Sequence, residues 1–167
     1  MSKTKPVTYK DISFWVYDVA FGIFLKLLID KAIQCTNPEY LAWLSDCIPQ
    51  WRVNAIVSDF AFHFDSQLSA EQLQVILRLI DESCLELAKR ESIPAQEMEA
   101  WNILDGKGID LRGHSEFPTA PVIELGRAMQ ELLCGTLPPA PVGTWWFYGT
   151  ETGRRIIAMK PYPTIRP

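Results

Sequence analysis

Histidine and carboxylate side chains offer the first possible chemistry. The chain has two histidines, and His63 lies between Asp59 and Asp65. A neighbouring carboxylate could orient this imidazole whether the segment is a helical continuation or a short extended piece, and the sequence leaves both open. A metal site needs three or four ligands in a set geometry, which this short run does not supply. The sequence therefore predicts no metal, no cofactor and a polar edge beside a phenylalanine-rich strip.

The second histidine lies in residues 104–120, a segment with repeated helix and strand breakers that predicts a long loop. Loops of this length in compact domains often carry function. No Ser-His-Asp order, nucleophile elbow or P-loop spacing occurs, so no catalytic residue is assigned and an enzyme is not expected. The alternative interpretation is a ligand-binding protein or enzyme with a cleft below this loop. It would use His63, or Arg112 and His114.

The cysteines indicate a reducing environment. Four cysteines are separated by 12, 37 and 50 residues, so no Cys-x-x-Cys pair is present and zinc-ribbon and thioredoxin-like sites are excluded. Free thiols and the lack of a recognisable signal peptide predict a cytoplasmic protein. The apolar stretch Ile12–Ile29 is not expected to span a membrane, because Asp18 and Lys26 interrupt it.

Charge is unevenly distributed along the chain. The net charge is -4, and residues 59–131 hold 14 acidic and six basic residues. This balance argues against a general nucleic-acid binder, which needs an excess of lysine and arginine. An acidic surface would instead attract a basic protein partner.

The N-terminal part of the chain is expected to be a loose arm followed by a long helix. Residues 1–7 form the predicted arm. Thr8 can cap a helix that runs to about Gln34, because apolar residues from Ile12 to Ala32 recur at a helical period.

Capping signals predict three further helices. Asn37 and Pro38 begin one, which is expected to stop before Pro49. Ser69 and Gln72 form a capping box at the start of the next. The last runs from Pro121 to a left-handed cap at Gly135.

The C-terminal part predicts a β-hairpin over residues 143–160, followed by a tail over 161–167. Two aromatic or β-branched runs flank a glycine-bounded turn. If Gly149 faces Arg154, Trp146 and Tyr148 share one face, which is either covered or available to a partner as an anchor. The expected fold is thus α+β and predominantly α. It is a single, helical bundle-like domain over residues 1–167, with a helical body over 8–135 and this antiparallel hairpin.

In its acidic helical body and its Thr144–Lys160 hairpin, the chain resembles the small immunity proteins encoded beside bacterial polymorphic toxins. The resemblance is one of overall character and assigns no residue a role. It implies a cytosolic inhibitor that occludes a basic partner such as a toxin. A structural homo-oligomer, for example a homodimer, is a further alternative. The residues expected to contact the partner are Asp59, Asp65, Asp105, Asp110, Glu116, Trp146 and Tyr148.

Overall fold

The computed structural model describes residues 4–150 and 153–158. It has a mixed α/β fold in which helices pack on a five-stranded sheet of strand order β3-β1-β2-β6-β7. A second sheet has two strands, β4 and β5. The elements are β1 (Thr4–Tyr9), β2 (Ile12–Tyr17), α1 (Asp18–Ile33), α2 (Pro38–Ile56), β3 (Phe62–His63), α3 (Ala70–Leu87), β4 (Ser92–Pro94), α4 (Ala95–Glu99), β5 (Glu116–Pro118), α5 (Thr119–Cys134), β6 (Thr144–Tyr148) and β7 (Arg155–Ala158).

The predicted helix is confirmed only from Asp18 onward, and the expected loose arm is wrong for residues 4–7; residues 1–3 lie outside the described part of the chain. Residues 4–7 are part of β1, and the segment expected to open a helix is β2, which pairs antiparallel with β1. Val7, Phe14 and Val16 are fully buried and alternate with less buried neighbours. Aromatic and β-branched residues favour such a strand. The apolar positions between Ile12 and Tyr17 fit the strand period as well as the helical period.

Helix α1 forms the centre of the molecule. It begins at Asp18, directly after β2, and Phe21, Phe24 and Leu28 are fully buried. The helix packs against α2, α3 and α5. Burial on most of its circumference explains the high apolar content of the segment.

Helix α2 runs through Pro49 instead of stopping before it, so this boundary was also wrong. Asn37 caps the helix as predicted, accepting a hydrogen bond from the Glu39 N–H at 3.0 Å. The helix continues because Trp51 and Ala55 are buried beyond the proline. Their packing offsets the hydrogen bond that proline removes.

The predicted N-terminus of α3 and the predicted C-terminus of α5 are confirmed. Ser69 and Gln72 form both bonds of the capping box, at 3.1 and 3.0 Å. Gly135 ends α5 with a φ of +72°.

Strands β6 and β7 extend the sheet. β6 pairs parallel with β2 and antiparallel with β7. Trp146 lies opposite Ile156, so the register differs by one residue from the predicted one. The expected combination of helices with an antiparallel C-terminal strand pair is present, but the bundle-like body is corrected to helices packed on a mixed sheet that includes this pair. The predicted tail 161–167 and the last two hairpin positions lie outside the described residues.

Segment 59–65, left open above, is extended at β3, which pairs parallel with β1. In the part of the chain that the structure describes, no helix is long and apolar enough to cross a membrane.

Candidate functional site: a polar cleft at the start of α1

A cleft of about 430 Å³ lies between the start of α1, the end of α2 and loop residues 106–112. We call it the α1 cleft. Its polar lining residues are Asp18, Asn54, Glu99, Lys107, Asp110 and Arg112.

An ion pair closes one side of the α1 cleft. The Arg112 guanidinium donates to both carboxylate oxygens of Asp18, at 3.1 and 2.5 Å. The Asp18 side chain is 8% exposed and also accepts from the Val19 N–H at 3.0 Å. The hydrogen bonds that Arg112 donates to Asp18 raise the pKa of Arg112 above its ordinary value. A carboxylate in the first turn of α1 is further stabilised by the helix dipole.

The loop that carries Arg112 is held by local contacts. The Asp110 carboxylate accepts from the Arg112 N–H at 2.8 Å, and Arg112 itself has a left-handed φ of 52°. Ile109 and Leu111 are buried on either side of Asp110. Alternation of buried and exposed residues therefore directs the charged side chains of this loop outward.

Two glycines allow the cleft walls to approach. A Cβ at Gly108 would lie 2.2 Å from the Met98 carbonyl oxygen, and one at Gly22 would lie 2.6 Å from the Ala55 carbonyl oxygen. Both neighbours are backbone atoms, so neither can move without shifting its segment. Glycine at these positions thus allows the two backbone segments at each site to lie this close together.

Asn54 supplies a buried acceptor without a partner. Its Nδ2 donates to the Gln50 carbonyl at 3.0 Å, while Oδ1 has no hydrogen-bond partner within the described ranges. The residue is 6% exposed and lines the α1 cleft. An unsatisfied buried polar atom costs about 1–3 kcal/mol, so this carbonyl oxygen destabilises the folded chain.

Lys5 holds the end of α2 from the side of the sheet. Its ammonium donates to the carbonyls of Asn54 at 2.8 Å and Val57 at 3.2 Å, and lies 5.1 Å from the centre of the Phe21 ring. Burial lowers the pKa of Lys5 to about 8, although Asp18 and Asp59 oppose this shift. A cation at a helix C-terminus interacts favourably with the free carbonyls there.

Three of the acidic residues expected to contact a partner lie around the α1 cleft. Asp110 lines it, and exposed Asp105 precedes Gly106 in its wall. Asp59 is also exposed and lines a neighbouring cleft of about 550 Å³, which shares Ser58 with the first.

The other two predicted acidic residues are placed elsewhere. Asp65 accepts from the Gln67 N–H at 2.8 Å, and Glu116 accepts from the Ser92 hydroxyl at 2.8 Å. Neither lines the α1 cleft. The predicted acidic surface is therefore divided between separate parts of the molecule.

The histidines lie outside the α1 cleft. His63 is exposed on β3, and His114 is exposed in a separate groove of about 400 Å³ that Glu116 also lines. Of the alternative ligand residues, only Arg112 belongs to the cleft. A cleft does lie below part of the 104–120 loop, but its buried polar groups are Asp18 and Asn54.

The aromatic anchors require a correction. Tyr148 is 2% exposed and packs edge-on against Phe14, with ring centres 5.0 Å apart, so it is not available to a partner. Trp146 is half-buried; its indole N–H donates to the Pro138 carbonyl at 2.6 Å, and the Arg154 guanidinium lies 4.3 Å from the ring centre. The proline-rich connector therefore covers part of this residue.

Sequence reasoning missed Asp18, Asn54 and Lys5 as members of a site. Asp18 gave a usable signal, because an aspartate inside a long apolar stretch requires a partner if it is buried. Asn54 gave none, since its unpartnered oxygen depends on how α1, α2 and the loop pack.

No family model, curated protein or solved structure matches the chain. Within residues 4–150 and 153–158, no group of three or more histidine, cysteine, aspartate or glutamate side chains could hold a metal ion. The functional argument therefore rests on the geometry of the α1 cleft.

Proposed function

We propose that the chain is a protein-interaction module, acting as a cytosolic inhibitor of the immunity type that binds and occludes a basic protein partner. The contact surface is the face around the α1 cleft. The observation that supports this proposal is an open cleft with Asp110 and Glu99 in its wall and with exposed Asp105 and Asp59 beside it.

The charges around the α1 cleft are complementary to a basic protein surface. Three carboxylates and two cations line the cleft itself, and Asp59 and Asp105 lie beside it. One of the cations, Arg112, is already paired with Asp18. The remaining negative potential would speed encounter with a basic partner and would weaken as salt is added.

The anchor of this interface is the α1 cleft. Of the two aromatic residues expected to anchor a partner, Tyr148 is buried and Trp146 is partly covered. A cationic side chain that enters the α1 cleft can instead pair with Asp110 or Glu99 in its wall, and contacts in such a cleft slow dissociation. The partner is then occluded if that side chain belongs to the surface through which the partner acts.

The test uses the purified product of the neighbouring gene. The proposal predicts a complex at micromolar concentrations and low salt, with an association rate that falls as salt rises. Replacing Asp59, Asp105 and Asp110 together by lysine should abolish this rapid association.

The control triple variant replaces Asp11, Glu39 and Glu91 by lysine. These three residues are exposed, do not line the α1 cleft and give the same change in net charge. Equal losses in the two triple variants would show a general charge effect and contradict the assigned face. No complex at low salt would contradict the proposed function itself.

A small-ligand-binding protein is the second candidate, and the size of the α1 cleft favours it. A cleft of about 430 Å³ is within the range of small-molecule sites. Native mass spectrometry of the purified protein would detect a retained small molecule. A mass equal to that of the chain alone after gentle purification would count against this candidate.

A further inference from the structure

We infer that the groove beside β5 is a binding site for a free amino acid with an aromatic side chain. This groove, which we call the β5 groove, has a volume of about 400 Å³, and its lining residues come from both sheets. It shares no lining residue with the α1 cleft, so the inference goes beyond the proposed function and does not depend on it.

The floor of the β5 groove is apolar and lies on the face of the main sheet that is turned away from the helices. Phe147 is 2% exposed but is not part of the core that the helices share with the sheet, whereas its neighbour Tyr148 is. Successive side chains of a strand point to opposite faces, so Phe147 lies on the outer face of β6. Tyr17 and Phe117 also line the groove, and their stacked rings have centres 6.1 Å apart. Such a floor favours a flat apolar group.

A cation lines the rim of the β5 groove. Arg155 lies opposite Phe147 in the pairing of β6 with β7, and its guanidinium lies 4.6 Å from the centre of the Phe147 ring. Among the described residues, no carboxylate pairs with this guanidinium. A guanidinium stacked on a ring keeps the N–H groups at its edge available, and these bind a carboxylate through two parallel hydrogen bonds. The rim therefore suits a ligand carboxylate.

A carboxylate lines the same groove. Glu116 Oε2 accepts from the Ser92 hydroxyl at 2.8 Å, and no donor contacts Oε1 within the ranges that the structure describes. Glu116 and Arg155 form no ion pair with each other in those ranges, so the groove presents two separate, opposite charges. A free amino acid carries an ammonium and a carboxylate, which can pair with Glu116 and Arg155 respectively. A ligand with a single charge would leave one of the two groove charges partly desolvated and unpaired.

The size of the β5 groove fits one amino acid. Small-molecule sites usually have volumes of about 300–1,000 Å³, and this groove lies near the lower end of that range. A longer peptide does not carry a free ammonium and a free carboxylate on the same carbon atom, so it would not pair with both charges. His114 also lines the groove and supplies a further N–H donor for the ligand carboxylate.

The experiment titrates the full chain with L-phenylalanine and follows the protein by ¹H–¹⁵N correlation spectra. Three further probes each lack one feature: L-phenylalaninamide lacks the carboxylate, N-acetyl-L-phenylalanine lacks the ammonium, and L-alanine lacks the ring. We expect phenylalanine to bind in the millimolar range and to shift the backbone amides of Phe117, Phe147 and Gly149, which line the groove. Each incomplete probe should bind about tenfold more weakly, because a hydrogen bond to a charged group or the burial of a ring is worth at least this much.

Two variants connect each charge of the ligand to one residue. Arg155→Met should weaken phenylalanine binding about tenfold and should bind phenylalanine and phenylalaninamide equally well. Glu116→Gln retains an oxygen for the Ser92 hydroxyl and should bind phenylalanine and N-acetyl-phenylalanine equally well. The controls Arg78→Met and Glu39→Gln remove the same charges at exposed positions outside the groove and should bind like the unaltered chain.

Several outcomes would overturn the inference. Absence of shifts at Phe117 and Gly149 up to the solubility limit of phenylalanine would show that the groove holds no amino acid. If phenylalaninamide or N-acetyl-phenylalanine bound the unaltered chain as well as phenylalanine does, a zwitterionic ligand would be excluded. Unchanged binding by a folded Arg155→Met variant would exclude this site. None of these results would affect a complex formed through the α1 cleft, so failure here is distinguishable from failure of the proposed function.

Discussion

Asn54 combines an unsatisfied buried oxygen with a position in the wall of the α1 cleft. Its amide nitrogen is hydrogen-bonded, whereas its oxygen is buried without a partner in the described part of the chain. An apolar side chain of similar size would remove that desolvation cost. A residue that destabilises the free protein while lining a cleft is typical of a binding site.

We predict that Asn54→Leu stabilises the isolated protein by about 1 kcal/mol, because the unsatisfied carbonyl is removed and the leucine packs against the cleft wall. Urea denaturation of the variant and the unaltered chain measures this difference. A loss of stability above about 1 kcal/mol would show that the oxygen is satisfied in solution.

Lys5 should give the unfolding free energy a specific pH dependence. Its pKa is lowered to about 8 from an ordinary value of 10.5. Between these two pH values the unfolded chain holds a proton that the folded chain has released, so stability rises with pH across this window. In Lys5→Met this contribution is absent. The stability of the unaltered chain relative to the variant should therefore increase from pH 8 to 10.5.

Comparing the two proteins removes the contribution of other groups. Burial raises the pKa of Cys47 and Cys84 to about 11, which lowers stability with pH above the ordinary thiol value of 9.0. Both thiols are present in each protein, so their effects cancel. An independent check is the ¹³C resonance of the Lys5 side chain, and a titration midpoint near 10.5 would contradict the burial of its ammonium.

At the level of elements, the Asp18–Arg112 pair connects the start of α1 to a loop 94 residues later in the chain. We predict that Arg112→Met destabilises the protein by about 1–3 kcal/mol, because the buried Asp18 carboxylate loses its cation and two hydrogen bonds. Chemical denaturation of Arg112→Met, Asp18→Asn and the double variant gives the coupling between the two residues. Additive losses would show that the pair contributes no interaction of its own.

The contact between α1 and α2 depends on Gly22. Alanine in an exposed helix interior normally stabilises by about 1 kcal/mol relative to glycine. At Gly22 the added Cβ would lie 2.6 Å from the Ala55 carbonyl oxygen. We therefore expect Gly22→Ala to destabilise by about 1–3 kcal/mol, measured by thermal or urea denaturation. An increase in stability would mean that the two helices are further apart than described.

At the level of the whole molecule, folding redistributes the charge that the sequence shows. Several acids of the 59–131 block are paired at places away from the α1 cleft, as Glu97 is with Arg90 and Asp81 is with Arg127. Exposed pairs of this kind contribute little stability, but they reduce the local negative potential. The proposed contact surface is therefore smaller than the acidic block.

The sheet makes the N-terminal segment part of the whole fold. β1 lies between β3 and β2, and Val7 is fully buried. We predict that deletion of residues 1–9 prevents cooperative folding, since it removes an inner strand together with Lys5. Circular dichroism and thermal denaturation measure this loss.

A point substitution gives a milder form of the same test. Val7→Asp should abolish or strongly reduce the unfolding transition, whereas Lys10→Asp, at an exposed position, should have little effect. A cooperative transition in the deletion variant would support the loose arm that the sequence analysis expected.

Local signals predicted helix ends well and sheet membership poorly. The Ser69–Gln72 box and the Gly135 cap involve residues a few positions apart, so their geometry follows from the local sequence. The run from Ile12 to Tyr17 is compatible with helix or strand, and its pairing with β1 and β6 makes it a strand. Pro49 was interpreted by its local cost alone, whereas buried residues beyond it keep α2 continuous.

The amino-acid sequence by itself determined the capped helices and the two C-terminal strand segments, one aromatic and one rich in isoleucine. Each depends on side chains that interact within a few residues of one another. Tertiary packing decided the five-stranded sheet and the α1 cleft, in which Asp18, Asn54 and Arg112 come together from α1, α2 and a distant loop. Such contacts depend on which surfaces bury one another, and residue types and spacing do not specify that choice.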